Sequence, residues 1–318
     1  MTRTPPPAAQ GNRGKFIDPT LTATGEPRAQ VTLDGLRTLW LNTGSLCNIA
    51  CENCYIESSP RNDRLAYLSL AEAVAFFDEA KTCAPELVEI GFTGGEPFLN
   101  PEFPEMLTVA LERGYRALVL TNAMKPMHHH RADLLALRQR FAKSLALRIS
   151  VDHYDANKHE LVRGIGSWSP MLEGLRWLCA NGFCVHVAGR TLWGEPEDAV
   201  RNGFARLFTA EKLPLDASDP RALVLFPEMD LRAEVPEITA RCWDILGVTP
   251  RQMMCASARM VIKRKGDDRP VVVPCTLLPY DRRFDLGAGL ATSTRTVALN
   301  HPFCAQFCVL GGATCSVP

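Results

Sequence analysis

Alternation between short apolar strands and amphipathic helices is the feature that most constrains the fold of this 318-residue chain. A buried strand is predicted at residues 37–43, and the capping box Ser69-Leu-Ala-Glu72 predicts a helix through about Lys81. Strands that alternate with helices pair in parallel through right-handed crossovers. Six strand–helix units are too few for a closed eight-unit barrel, so we predict an open or partial α/β barrel. The other five predicted strands are residues 87–92, 117–121, 145–151, 183–189 and 222–226.

Polar residues follow the predicted strands at the positions where a parallel α/β fold keeps its functional groups. In such folds these groups lie beyond the carboxyl ends of the strands, on one edge of the sheet or barrel. We therefore expect them to lie together on one rim. They are the loop after residue 43, Gly94 to Pro97, Thr121-Asn122, Ser150, Asp152, Arg190 and Glu228.

Three cysteines, Cys47, Cys51 and Cys54, lie within eight residues directly after the first predicted strand. Their spacing is Cys-x-x-x-Cys-x-x-Cys, and no fourth cysteine or histidine lies nearby in the sequence to complete a local set. A structural zinc ion takes four protein ligands, and a four-iron cluster has four metal corners. Three thiolates on a four-iron cluster therefore leave one iron open to a reactive ligand. A zinc site that a distant residue completes is the alternative.

The cysteine spacing, the aromatic Tyr55 that follows it and the turn Gly94-Gly95-Glu96-Pro97 resemble the radical S-adenosylmethionine (SAM) superfamily. The resemblance covers about residues 37–230 and implies a partial (β/α)6 barrel of the radical SAM type. It also implies a [4Fe–4S] cluster on the three thiolates, with the amino and carboxylate groups of SAM chelating the open iron. In that family an electron from the cluster cleaves SAM to a 5′-deoxyadenosyl radical, which abstracts hydrogen from a substrate. A reductant such as flavodoxin or ferredoxin is an implied partner.

The same resemblance implies contacts from the glycine-rich turn to SAM. Gly94 and Gly95 let the backbone approach its methionine part closely, and Glu96 accepts a hydrogen bond from its amino group. Tyr55 is expected to border the adenine. A solvated turn carboxylate is the alternative for Glu96.

Four residues at the ends of later elements are further candidates for SAM contacts. Ser150 and Asp152 resemble the polar residues that contact the ribose or the carboxylate, although helix capping after a strand would also explain them. Arg163 and Arg190 are candidates for the SAM carboxylate, and a surface or packing role is their alternative.

Cysteine density rises after about residue 240, where helical periodicity fades. The segment KRKGDDRP predicts a tight connection between two short strands, ARMVIK and VVVPC. This region resembles the SPASM and Twitch extensions of radical SAM enzymes, which hold auxiliary four-iron clusters. It implies one auxiliary [4Fe–4S] cluster, with Cys242 as the bystander and a zinc knuckle or buried thiols as the alternatives. Five thiols compete for its four positions: Cys255, Cys275, Cys304, Cys308 and Cys315.

Three regions are predicted along the chain. Residues 1–36 form a poorly ordered, Pro-rich tail, residues 37–235 the barrel core, and residues 236–318 the cysteine-rich auxiliary module. Cysteines outside the two groups are interpreted as small buried hydrophobes; they are Cys83, Cys179 and Cys184.

Composition narrows the location and the partners. Charged residues make up 22% of the chain and balance to zero net charge, so neither nucleic acid nor a membrane surface is an expected partner. No apolar stretch approaches the roughly 20 residues that cross a bilayer, and the N-terminus lacks a secretion signal. The chain is therefore predicted to be cytoplasmic, where cysteines serve as metal ligands more readily than as disulfides.

The resemblance implies a radical SAM enzyme that modifies a peptide or protein side chain, as relatives with SPASM or Twitch extensions often do. The same chemistry on a small metabolite or cofactor precursor is the alternative substrate class. Two non-catalytic hypotheses remain, a zinc protein in which both cysteine groups are structural and a cluster protein that only transfers electrons.

Overall fold

The computed structural model describes residue 12 and residues 14–315 of the chain. Ten strands form two sheets within these residues. The strands are β1 (Gln30–Val31), β2 (Thr38–Asn42), β3 (Glu89–Thr93), β4 (Arg116–Thr121), β5 (Leu145–Asp152), β6 (Cys184–Arg190), β7 (Leu223–Phe226), β8 (Ala258–Ile262), β9 (Val271–Val273) and β10 (Val297–Ala298).

An eight-stranded sheet has the order β7-β6-β5-β4-β3-β2-β8-β9. Each pair from β2 to β7 is parallel, which confirms the six predicted strand–helix units. The predicted partial α/β barrel is therefore confirmed, since the sheet stays open. The helices are α1 (Leu70–Cys83), α2 (Phe103–Glu112), α3 (Lys125–His128), α4 (Arg131–Phe141), α5 (Ala156–Arg163), α6 (Trp168–Ala180), α7 (Glu197–Ala210) and α8 (Cys242–Leu246).

Local sequence signals begin α1 as predicted. The Ser69 hydroxyl accepts a hydrogen bond from the Glu72 backbone N–H at 3.2 Å, and the Glu72 carboxylate accepts one from the Ser69 N–H at 2.9 Å. These two bonds satisfy backbone donors that the first helical turn leaves without partners. Within the described residues, no helix combines the length and apolar character needed to span a bilayer.

The two faces of the sheet have different coverings, because successive side chains of a strand point to opposite faces. Leu39 and Leu41 of β2 pack into the core beneath the helices, whereas Trp40 between them faces a second core. The C-terminal region supplies much of that second core, including Phe303 and Phe307. The inner face of the open sheet is thus covered by residues from the end of the chain.

The predicted C-terminal hairpin is formed by β8 and β9, which pair antiparallel. Strand β8 also pairs in parallel with β2, so the hairpin extends the sheet of the barrel. Lys263 at the end of β8 contacts Glu72 at the start of α1, with 2.5 Å between Nζ and Oε1. A boundary near residue 235 stays a prediction, because one sheet runs through both sides of it.

The expectation of a poorly ordered tail through residue 36 is wrong for residues 14–36. Strand β1 pairs antiparallel with β10, and the buried Arg28 guanidinium forms an ion pair with Glu237. The first sixteen residues read as a tail because they are rich in Pro and Ala, and long-range contacts are not visible in such a pattern. Residues 1–11 and 13 lie outside the described residues.

The expectation that three isolated cysteines are buried is also wrong. Cys83 and Cys184 are exposed, and Cys179 is half-buried. Cys83 ends α1 and Cys184 begins β6, and the ends of elements are closer to solvent than their centres.

Candidate functional site

The thiol loop is held by the glycine-rich turn that follows β3. The Gly95 backbone N–H donates to the Gly44 carbonyl at 2.8 Å, and the Glu96 N–H donates to the Leu46 carbonyl at 3.1 Å. A Cβ atom on Gly95 would lie 2.1 Å from the Leu46 oxygen, so only glycine allows this approach. The turn therefore fixes the backbone that leads directly into Cys47.

The three thiols and most of the predicted SAM contacts line one large cavity at the carboxyl ends of the strands. Glu96 is the predicted contact that does not line it. The predicted residues that line the cavity are Cys47, Cys51, Cys54, Tyr55, Gly94, Gly95, Ser150, Asp152, Arg163 and Arg190.

Glu96 is buried beside the cavity, and its carboxylate already has protein partners. It accepts hydrogen bonds from the Thr121 hydroxyl at 2.8 Å and from the Asn122 backbone N–H at 2.9 Å. Burial raises the pKa of Glu96 to about 7 despite these donors. In this arrangement Glu96 joins the ends of β3 and β4, and its contact with SAM stays a prediction.

Asp152 and Arg163 form a two-pronged ion pair in the cavity wall. The Arg163 Nε and Nη2 atoms donate to the Asp152 carboxylate at 2.7 and 3.3 Å. Burial acts to lower the pKa of Arg163, but the charge and hydrogen bonds of Asp152, together with the charges of Cys51 and Cys47, outweigh it and raise that pKa. The Arg163 charge also acts on Cys51, whose pKa burial raises and Arg163 lowers. Arg163 is therefore a fixed positive charge beside the thiols.

Asp152 has an unusual backbone at the end of β5. Its φ is +59°, in the left-handed region that non-glycine residues rarely adopt, and the β5–β6 register shifts at this point. Backbone conformations of this kind persist where surrounding contacts hold them, and they cluster at functional sites. The bend aims the Asp152 carboxylate at Arg163.

Arg190 is paired as well, at the end of β6. Its guanidinium forms an ion pair with the Glu228 carboxylate, which also accepts a hydrogen bond from the Asn53 side chain at 2.8 Å. Glu228 thus links the end of β6 to the thiol loop. Ser150, on the same face of β5 as Asp152, lines the cavity between these charges.

The three thiols of the loop were predicted to hold either a four-iron cluster or, with a distant fourth residue, a zinc ion. Among residue 12 and residues 14–315, no three His, Cys, Asp or Glu side chains are grouped so that they could hold a single metal ion. Each thiolate on a four-iron cluster binds a different iron, so its ligands stand farther apart than those of zinc. All three thiols line one cavity, and three thiolates from one loop suit the cluster. Burial raises the pKa of Cys47 to about 12, so iron binding displaces a proton there.

A second, smaller cavity lies in the C-terminal region and is lined by four thiols. Its other lining residues are apolar, among them Met253 and Leu278. Burial raises the pKa of Cys255 to about 11 and that of Cys304 to about 12. Four soft donors in an apolar lining fit a cluster in which every iron has a protein ligand. The thiols are Cys255, Cys275, Cys304 and Cys308.

Cys315, the fifth candidate for the auxiliary cluster, is not among these four thiols. It is buried and lines the large cavity instead, where its thiol accepts a hydrogen bond from the Thr276 hydroxyl at 3.3 Å. Cys242 lines neither cavity, and its sulfur accepts a hydrogen bond from the Thr239 N–H at 3.4 Å.

Several residues of the large cavity were missed by sequence reasoning. Arg148 has the clearest signal, because it precedes Ser150 and Asp152 by two and four residues and so shares their face of β5. The apolar residues that close the cavity have no comparable signal in the sequence. They are Ile56, Leu120, Ala188, Phe226, Pro227, Met229 and Phe307.

Comparison with known proteins identifies the class. Residues 41–201 match the family model of the radical SAM superfamily, which is half of the chain. The chain belongs to the radical SAM superfamily. A [4Fe–4S] cluster and SAM are the cofactors of that family. The cavity lined by three thiols fits them, because three thiolates leave one iron of the cluster free for SAM.

Particular relatives extend this result. The chain is 29% identical over 148 residues to the antilisterial bacteriocin subtilosin biosynthesis protein AlbA of Bacillus subtilis, covering 45% of this chain and 30% of AlbA. It is 30% identical over 137 residues to the mycofactocin maturase MftC of Mycobacterium ulcerans, covering 43% of this chain and 35% of MftC. The chain thus matches about a third of the length of either relative.

A solved structure shares the fold over most of the chain. Streptococcus suis SuiB bound to the precursor peptide SuiA superposes with a TM-score of 0.59 at 10% identity, over 81% of this chain and 63% of SuiB. At this identity the likeness concerns the fold alone.

Proposed function

We propose that this chain is a radical SAM enzyme that modifies a peptide or protein side chain. The observation that carries the proposal is the single cavity shared by three thiols, the glycine-rich turn and the paired charges of Asp152–Arg163 and Arg190–Glu228. When bound, the cluster and SAM supply a 5′-deoxyadenosyl radical that abstracts hydrogen from the substrate. The chain supplies the thiolates, the walls that exclude water and the charges that orient polar groups.

The paired charges suit a zwitterionic ligand such as the amino acid part of SAM. Arg163 presents a positive charge held in place by Asp152, while Asp152 keeps the pair neutral when no ligand is bound. A ligand carboxylate can pair with Arg163 while the ligand amine pairs with Asp152. The Arg163–Asp152 ion pair is then replaced by two others, so the electrostatic cost is small. We therefore assign Ser150, Asp152, Arg163 and Arg190, with Tyr55 and the two glycines, to SAM binding.

We also propose that the second cavity holds one auxiliary [4Fe–4S] cluster on its four thiols. In that case residues 236–318 serve as the auxiliary-cluster module and residues 37–235 as the SAM-cleaving core. An acceptor or donor of electrons near the radical cavity would suit a reaction that removes an electron from the substrate. A small electron carrier such as flavodoxin or ferredoxin would then reduce the enzyme. We also propose that the enzyme is cytoplasmic.

A peptide substrate is favoured by the relatives. AlbA is a bacteriocin biosynthesis protein, MftC is a maturase, and SuiB has been captured with a precursor peptide. The cavity continues past the predicted SAM contacts to Phe226, Met229 and Phe307, which leaves apolar room for a side chain. A small metabolite of similar size is the competing substrate class.

The test is anaerobic purification followed by addition of dithionite and SAM. The protein should contain about eight irons, four for each cluster, and SAM should change the electron paramagnetic resonance signal of the reduced centre. Deoxyadenosine should form in the wild type and in Cys83→Ala, an exposed thiol outside both groups, but not in Cys51→Ala. A colourless zinc protein, or a reduced cluster that releases no deoxyadenosine, would refute the proposal.

The substrate class needs its own measurement. Short peptides encoded beside the gene should increase deoxyadenosine release and, when deuterated, transfer deuterium to it. Transfer from a small metabolite but from none of these peptides would replace the peptide proposal with the alternative.

A further inference from the structure

The inner part of the large cavity contains a buried cation that the assignments above do not use. Arg148 lies on β5 and lines the cavity with only 3% of its surface exposed. Its Nη1 atom donates to the backbone carbonyl of Cys315 at 2.8 Å, while its Nε atom has no hydrogen-bond partner. A buried guanidinium with an unused donor is costly unless a ligand completes its contacts.

Charge in the cavity is balanced everywhere except at Arg148. Arg163 is paired with Asp152 and Arg190 with Glu228, whereas Arg148 forms no ion pair with any residue that the structure describes. Glu89 acts on Arg148 from a distance, but burial raises the pKa of Glu89, and its nearest ion-pair partner is Arg116 at 3.8 Å. Among the described residues, Arg148 is thus the cavity-lining cation without a carboxylate at ion-pair distance.

Depth separates this cation from the thiol loop. Arg148 precedes Ser150 and Asp152 by two and four residues on one strand, so it lies roughly 7 and 13 Å deeper along β5. The charged side chains that act on Cys51 are Arg163, Asp152 and Arg190, which end elements at the rim. A carboxylate next to the thiols can therefore bind the cations at the rim, and Arg148 is available to a different ligand.

We propose that Arg148 and Cys315 form the substrate subsite, in which Arg148 binds a carboxylate of the substrate. This inference rests on the proposed function and specifies its substrate. The rings of Phe226 and Phe307 lie 5.4 Å apart and line the same cavity as Arg148, as does Met229. A carboxylate on a short apolar stem fits such walls, as in an acidic side chain, a C-terminal residue or a small dicarboxylic acid.

Cys315 supplies a reporter for this subsite, because its thiol is free and lines the cavity next to Arg148. The cluster-loaded protein, without SAM, is treated anaerobically with iodoacetate or iodoacetamide, and the modification of Cys315 is followed by mass spectrometry. Both reagents transfer a carbon to the thiolate and release iodide, but only iodoacetate is an anion. The ratio of the two rates cancels the accessibility and the pKa of the thiol.

The expected result is a rate ratio at Cys315 that favours iodoacetate and falls about fivefold in Arg148→Gln. Arg148→Lys, which keeps the charge, should retain most of the preference and guards against a variant that folds poorly. The exposed Cys83 should show the same ratio in all three proteins. An equal ratio at Cys315 in wild type and Arg148→Gln, or no modification of Cys315 by either reagent, would overturn the subsite.

Two further arms identify the source of the carboxylate. Glutarate and a short peptide with one internal glutamate are each tested for protection of Cys315 from iodoacetamide. Protection by the peptide indicates a peptide ligand, and protection by glutarate alone indicates a small acid. Protection by neither contradicts the proposal. The affinity for SAM should be unchanged in Arg148→Gln, and a loss would assign Arg148 to SAM instead. None of the alkylation assays requires turnover, so their failure would leave the proposed radical SAM activity intact.

Discussion

The two groups of thiols differ in number, in burial and in what surrounds them. The loop after β2 supplies three thiols to a large cavity that also contains charged and hydrogen-bonding groups, and Cys51 and Cys54 are half-buried. The C-terminal region supplies four thiols to a smaller cavity with apolar walls. Three ligands leave a corner for chemistry, while four close the cluster. The comparison predicts that one centre reacts and the other conducts electrons or stabilises the fold.

The largest expected difference concerns SAM cleavage. Cys47→Ala should reduce deoxyadenosine release by more than about a hundredfold, because the thiolate set that leaves one open iron is lost. Cys304→Ala should retain SAM cleavage within about threefold, since that centre does not hold the open corner. Single-turnover deoxyadenosine assays with dithionite measure both. Equal losses in the two variants would contradict the division of roles.

Iron content tests which thiols belong to the second centre. Cys308→Ala should lose about four irons per chain, whereas Cys315→Ala should lose none, because Cys315 lines the other cavity. Iron and sulfide analysis of reconstituted protein checks this prediction, with Cys242→Ala as a matched control. Loss of four irons in Cys315→Ala would return that thiol to the ligand set.

The ion pair at the rim should contribute to stability as well as to ligand binding. Asp152→Ala leaves the Arg163 charge buried without its partner, which should lower the free energy of unfolding by about 3 kcal/mol. Asp152→Asn keeps the shape and one acceptor, so its loss should be smaller. Denaturant unfolding measures both, and SAM titration should show weaker binding in each. A fully stable Asp152→Ala would mean that the pair is solvated.

The smallest effect is a pH dependence in the C-terminal region. Burial lowers the pKa of His301 from 6.5 to about 4, so between these values the unfolded chain binds a proton that the folded chain does not. Stability therefore falls as the pH is lowered through this window, by up to about 2 kcal/mol between pH 7 and pH 5. When the pH is lowered from 7 to 5, the stability of His301→Gln should fall less than that of the wild type, as measured by thermal unfolding. Parallel losses in the two proteins would show that His301 is not the source.

Local patterns in the sequence were sufficient for the barrel. Short apolar runs predicted β2 to β7, and the capping box predicted the start of α1, because both signals depend on neighbours in the chain. The thiol triplet lies in one loop, so its spacing carried the cluster assignment. The same kind of local pattern could have predicted that Arg148 lines the cavity, since alternation along β5 places it on the same face as Ser150.

Contacts between distant segments were not predictable in this way. The pairing of β1 with β10 and the Arg28–Glu237 ion pair order residues that read as a tail. The division of the C-terminal thiols is of the same kind. Cys304, Cys308 and Cys315 lie within twelve residues, yet only two of them line the cavity with Cys255 and Cys275.

The sequence by itself determined the order of strands and helices, the triplet of thiols and the family to which they belong. Tertiary structure decided which thiols share a cavity, which charges neutralise one another and which cation is left over at its inner end. The physical reason is range: periodicity and spacing act over a few residues, whereas burial and ion pairing depend on where the closed chain brings distant residues together.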